Sequence, residues 1–164
     1  MNFDNEFEKA IRMVSKAMPL AEELIKPTLL HSIRVGMYLY NNGYNREISI
    51  AGLLHDVIED TKLVKKDIIK NFGNEIYDLI DVNSKNYSLE KTQRGPDSIR
   101  RCAEHSEAAL IIKTADVMDN IYYFSKIKRL VSVDKMIFYA KLILKCKPKN
   151  YHDKIFKELN KIIK

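Results

Sequence analysis

The stretch Leu53-Leu54-His55-Asp56-Val57-Ile58-Glu59-Asp60-Thr61 puts four groups able to bind metal or move protons into six positions, directly beside apolar side chains. Burying an unpaired charge is costly, so such groups in an apolar run need a partner. A divalent cation is the simplest one, because imidazole nitrogen and carboxylate oxygen together suit zinc, manganese or iron(II). Taken alone, His55-Asp56 has a plain alternative: an Asp beside a His can end a helix or pair with a lysine. Two further segments supply what a metal site would still lack. His31 lies in Leu29-Leu30-His31-Ser32-Ile33-Arg34-Val35, and Asp116 lies in Ile111-Ile112-Lys113-Thr114-Ala115-Asp116-Val117-Met118-Asp119-Asn120. Each is polar within an otherwise apolar pattern.

Outward from this stretch, helical spacing dominates and strand alternation is scarce, which predicts an all-α chain. Phe3, Phe7, Ala10, Ile11 and Val14 define one apolar stripe near the start. A second helix is expected to end before Pro27, and a third carries Leu30, Ile33, Met37 and Tyr40 up to the stop signal Asn41-Asn42-Gly43. Ile48 to Ile58 reads as a buried helix ending near His55-Asp56, and Leu63 to Asn71 and Asn74 to Val82 flank Phe72-Gly73. The polar stretch Ser84 to Asp97, with Gly95-Pro96 as a breaker, is the expected loop. Further helices are expected over Ser98 to Ser106, Glu107 to Tyr123, Asp134 to Leu144 and about 151–163, the last one basic. Neither an internal repeat nor a low-complexity linker interrupts them.

With 164 residues, 46% hydrophobic, and only five Gly and four Pro, the chain is expected to form one domain over residues 1–164. Chains near this size hide about 68–70% of their unfolded surface. No segment approaches the ~18 uninterrupted apolar residues of a membrane span. The acidic start Met1-Asn2-Phe3-Asp4-Asn5-Glu6 lacks the basic and apolar regions of a signal peptide. A cytoplasmic protein with no membrane partner is the expectation. Cys102 and Cys146 have no metal-type spacing and read as reduced thiols. The net charge of +6 is concentrated after residue 144, where seven lysines face Asp153 and Glu158. That distribution reads as a solvated helix face rather than a nucleic-acid surface.

The order His31, then His55-Asp56, then Asp116 resembles the HD-domain metal phosphohydrolases. Leu53 to Thr61, Phe72-Gly73, Ser84-Lys85, Ile112-Lys113 with Ala115-Asp116, and Asn120 look like the RelA/SpoT-type alarmone hydrolase branch, over roughly residues 25 to 125. The resemblance implies a single HD-domain helical bundle in which His31, His55, Asp56 and Asp116 hold one divalent ion, by family habit manganese. Two imidazole nitrogens and two anionic oxygens bring such a cation close to neutrality while open positions keep it a Lewis acid. His105 and His152 fall outside the pattern and are expected at the surface.

By the same resemblance Glu59 and Asp60 are the catalytic pair, assigned to water activation and proton transfer. On a continuing helix they would sit four residues beyond His55 and Asp56. The alternative for both is a charged helix terminus capped locally. Lys113, Asp116 and Asn120 follow i, i+3, i+7 spacing, so one helix face could present a cation, a metal ligand and an amide. The resemblance implies that Asn120 contacts a nucleotide sugar or phosphate, and Lys113 either neutralises phosphate or is solvated. Lys85, Arg94, Arg100 and Arg101 border the expected loop as further phosphate contacts or solvated charges.

The implied activity is removal of the 3′-pyrophosphate from guanosine tetra- or pentaphosphate. The alternatives are hydrolysis of another nucleotide and a module that senses a nucleotide without cleaving it. Two departures bear on substrate choice. The branch has an Arg-Lys segment before its first histidine, whereas here Met18 to Pro27 contains only Lys26 as a base. After Asn120 the chain reads Ile121-Tyr122-Tyr123-Phe124, where Tyr122 or Tyr123 could stack on a base.

Overall fold

The computed structural model describes residues 2–18 and 26–164. Among these residues there are ten α-helices and no strand, in agreement with the all-α expectation. The chain divides into two compact units, Met1–Ser84 and Lys85–Lys164.

The first unit contains α1 (Phe3–Ala17), α2 (Thr28–Asn41), α3 (Arg46–Leu54), α4 (Val57–Asp60), α5 (Lys65–Phe72) and α6 (Asn74–Asn83). The Asn2 side chain caps α1 by accepting from the Asp4 amide at 3.1 Å, and Phe7, Ala10 and Val14 are buried as the stripe predicts. Phe7 stacks on Tyr40 of α2 with ring centroids 4.7 Å apart. The helix end expected before Pro27 falls largely on residues 19–25, outside the described residues. The buried face of α2 is His31, Ser32, Val35, Gly36 and Leu39, whereas Leu30 is 50% exposed. His31 therefore belongs to the core stripe, and its apolar neighbour Leu30 does not.

Two glycines bring α2 and α3 unusually close. A Cβ on Gly36 of α2 would lie 2.7 Å from the Leu53 Cβ of α3, and a Cβ on Gly52 of α3 would overlap the Leu39 side chain of α2. Each helix thus receives the other's leucine where it lacks a side chain, and this contact sets His31 beside His55. The expected continuous helix from Ile48 to Ile58 is not formed. α3 stops at Leu54, His55 and Asp56 make a turn, and the four-residue α4 follows. α4 opens with the Glu59 and Asp60 amides both donating to the Asp56 carbonyl, at 3.1 and 3.0 Å. Gly73, at φ +96, separates α5 from α6 with a backbone that a side chain would strain.

The second unit contains α7 (Lys91–His105), α8 (Glu107–Lys126), α9 (Leu130–Cys146) and α10 (Lys154–Ile162). Only the first half of the expected loop over Ser84 to Asp97 is non-helical: α7 begins at Lys91 and runs through Gly95-Pro96. Proline loses one helical hydrogen bond there, yet its fixed φ is compatible with a helix. Gly95 meanwhile leaves room for the Tyr139 ring of α9, whose Cε2 would be 2.9 Å from an added Cβ. The true connection, residues 85–90, is fastened by Arg94, whose Nε donates to the Leu89 carbonyl at 2.9 Å and whose guanidinium lies over the Tyr87 ring. Ser106 caps α8 by accepting from the Ala109 amide at 3.1 Å. The Glu107 carboxylate accepts from the His152 and Asp153 amides at 2.6 and 2.9 Å, anchoring the entry to α10. α10 buries Ile155, Phe156 and Leu159 and exposes Lys154, Lys157 and Lys161, which is the solvated basic face expected of it. No described helix is long and apolar enough to cross a membrane.

Candidate metal centre

His55 stands at the C-terminal end of α3 and is 1% exposed; His31, in the first turn of α2, is completely buried. The two Nε2 atoms are 3.2 Å apart. Asp56 Oδ2 lies 3.2 Å from His55 Nε2 and 3.7 Å from His31 Nε2. His55 Nδ1 is 2.8 Å from the Gly52 carbonyl, and a carbonyl can only accept, so Nδ1 carries the proton. The Nε2 atoms of His55 and His31 and the Asp56 carboxylate oxygen therefore face one another, an arrangement that a shared proton or a metal ion would stabilise. The carbonyl bond fixes ring orientation as hydrogen bonds from metal-ligating histidines commonly do. The donor set of two imidazoles and a carboxylate suits a borderline divalent cation, and this cluster could hold one.

Glu59 and Asp60 are half-buried on α4. They line an open cleft together with Lys16, Ala17, Thr61, Lys62 and Leu63, with a volume near 570 Å³. Thr61 ends α4 by donating from Oγ1 to the Val57 carbonyl at 2.7 Å. The local capping role and the cleft-facing role coexist in this segment, as Thr61 does the capping and the two carboxylates border the open space. Lys16 and Lys62 are two cations of the cleft that no motif marks. Lys62 adjoins the decisive stretch, but Lys16 is forty residues away in sequence and carries no signal of its own.

In the second unit Asp116, Lys113 and Asn120 do share one face of α8. Lys113 Nζ donates to Asp116 Oδ2 at 3.3 Å, and Asn120 Nδ2 donates to Asp116 Oδ1 at 2.6 Å and to the Asp116 carbonyl at 2.9 Å. The Lys113 and Asp116 side chains are only 12% and 15% exposed, which sets aside a solvated role for Lys113. Nearby on α7, burial pushes the Cys102 thiol up to about 11, a rise the Lys113 charge opposes. Neither Cys102 nor Cys146 is in a disulfide. Of the four bases near the expected loop, Arg94 holds the 85–90 connection and Arg101 pairs with Asp97 at 2.8 Å, while Lys85 and Arg100 are exposed. His105 and His152 are exposed, as expected.

An all-helical chain with this His, His-Asp, Asp order defines a class. Residues 10–142 match the HD-domain family model, and the chain belongs to the HD-domain family. It is similar to the guanosine-3′,5′-bis(diphosphate) 3′-pyrophosphohydrolase of Borreliella burgdorferi, at 32% identity over 133 residues, covering 73% of this chain and 20% of that protein. It is also similar to the Drosophila melanogaster enzyme of the same name, MESH1, at 39% identity over 74 residues, 45% of this chain and 41% of that one. The chain thus spans about one fifth of the Borreliella protein and two fifths of MESH1. Among solved structures, a metazoan ortholog of SpoT that hydrolyses ppGpp shares the fold with a TM-score of 0.77 at 24% identity, covering 96% of this chain and 93% of that one. The protein lmo0812 of Listeria monocytogenes matches with a TM-score of 0.67 at 26% identity, covering 81% and 90%.

Proposed function

We propose that the chain hydrolyses the 3′-pyrophosphate ester of guanosine tetra- or pentaphosphate in the cytoplasm, using one divalent ion, manganese, held by His31, His55, Asp56 and Asp116. The observation that carries this is the buried convergence of His31 Nε2, His55 Nε2 and Asp56 Oδ2 in a chain whose relatives are named for that reaction. The ion when bound supplies Lewis acidity, which polarises a phosphoryl oxygen and makes water more acidic. Glu59 and Asp60, bordering the open cleft, orient the attacking water and take its proton. Asn120 orients the nucleotide through its amide, and Lys113 is the cation of the same helix face. Residues 1–164 act as one HD-type domain, consistent with a family match that runs through both compact units.

Metal-supplied protein incubated with guanosine tetraphosphate should release pyrophosphate and guanosine diphosphate in equal amounts. No release with manganese, zinc or iron(II) would overturn the proposal, and bound nucleotide without turnover would make the chain a sensing module. A second reading, hydrolysis of another nucleotide, is favoured by one feature: Lys26 is the only base between Met18 and Pro27. Equal or faster turnover of the adenosine counterpart would select it.

A further inference from the structure

We propose that Lys113 is a positioning residue, holding the Asp116 carboxylate in the orientation the metal site uses, rather than a phosphate contact. This rests on Asp116 being a ligand of the divalent ion. Lys113 lies one turn before Asp116 on α8 and Asn120 one turn after it, and they hold opposite carboxylate oxygens. A carboxylate gripped from both sides along its own helix is fixed in rotamer, and each oxygen still has a lone pair to offer.

The surroundings of Lys113 point the same way. Its side chain is nearly buried, and its charge acts on the thiol of Cys102, itself completely buried on α7. The ammonium is therefore largely shielded from water and engaged by a residue of its own helix. Reaching out to a phosphate would break that bond and loosen the carboxylate whose rotamer it helps to fix. Partners of metal ligands that act in this way are worth about 10–100-fold in metal affinity or activity.

The test is calorimetric titration of metal-free protein with Mn²⁺, paired with steady-state kinetics on guanosine tetraphosphate. Lys113→Met should weaken Mn²⁺ binding about 10–100-fold and lower kcat, with KM changing less than about twofold. Lys113→Arg, which keeps a charge-assisted bond to Asp116, should restore Mn²⁺ binding to within about threefold of wild type. Unchanged Mn²⁺ affinity with a raised KM would make Lys113 a phosphate contact and overturn the proposal. Tighter Mn²⁺ binding in Lys113→Met would also overturn it, because charge repulsion would then outweigh orientation. Should Lys113→Met fail to fold by circular dichroism, the Arg variant decides: loss of Mn²⁺ affinity despite a retained charge would refute the role, and retention with wild-type KM would support it. Wild-type protein that binds no divalent ion at all is a separate result, sinking the metal-site reading itself.

Discussion

Around His55 the first unit gathers two imidazole nitrogens and a carboxylate oxygen within 3.7 Å of one another, while around Asp116 the second unit surrounds a carboxylate with an ammonium and an amide. In the second case the protein supplies the compensating charge from its own helix. In the first, the proton on His55 Nδ1 is committed to the Gly52 carbonyl, and Nε2 faces the other two donor atoms. The contrast teaches what each region would ask of a cation. Asp116 is steadied by its own helix before anything binds, whereas a cluster of imidazole and carboxylate donors is one that a bound proton or cation would complete.

The largest effect is expected from removing a donor from the first side of this contrast. On the proposed four-ligand site, His55→Ala should bring bound divalent metal from about one ion per chain to near zero by elemental analysis. Wild-type metal content in that variant would dissolve the distinction between the two regions. Glu59→Gln, on α4 just after the cluster in sequence, should instead keep its metal and lose about 10²–10⁴-fold in turnover. Retained turnover on guanosine tetraphosphate would remove Glu59 from the chemistry.

A smaller effect concerns the packing that makes the first cluster possible. Gly36→Ala drives a methyl against both Cβ and Cα of Leu53, at 2.7 and 3.0 Å, so backbone has to move. Such overpacking costs about 1–3 kcal/mol, more than the roughly 1 kcal/mol alanine gains in helix propensity. Gly52→Ala meets mainly the movable end of Leu39 and should cost less. Urea denaturation of the two variants checks the order, and a Gly36→Ala protein as stable as wild type would refute the close approach.

The second region offers a pH-dependent counterpart. The Cys102 thiol ordinarily titrates near 9.0, and in the folded chain burial raises it to about 11. Between these values the unfolded chain gives up the proton while the folded chain keeps it, so unfolding gains. The contribution is fully present below pH 9 and is lost as pH rises toward 11, about 2–3 kcal/mol in total. Cys102→Ala should flatten the stability profile over that window. An identical slope in the variant would show that other groups set it.

The ordered set His31, His55, Asp56 and Asp116 was visible in the sequence because each residue interrupts an apolar pattern and each has motif neighbours. Helix order was visible too, since turn signals such as Asn41-Asn42-Gly43 and Phe72-Gly73 coincide with real helix ends. Other features depend on contacts between segments far apart in sequence. The break after Leu54 has no Gly or Pro to announce it, and His55 turns there to reach the Gly52 carbonyl. Gly95-Pro96 signals a loop locally, but Tyr139, more than forty residues later, fills the space the glycine leaves. The i, i+3 spacing put Lys113 and Asp116 on one face, yet spacing is silent on whether the ammonium turns to its neighbour or to a ligand.

The reciprocal seating of Leu53 on Gly36 and Leu39 on Gly52 has a consequence for how this sequence can drift. At position 52 the obstacle is the far end of Leu39, so a larger residue there is tolerable alongside a smaller one at 39; at position 36 it is the Leu53 Cβ and Cα, which a smaller side chain at 53 does not remove. Among descendants of this chain, size at 39 and 52 should covary, while 36 should stay glycine. Lineages that break either pattern should do so only by parting α2 from α3, and with them the two histidines.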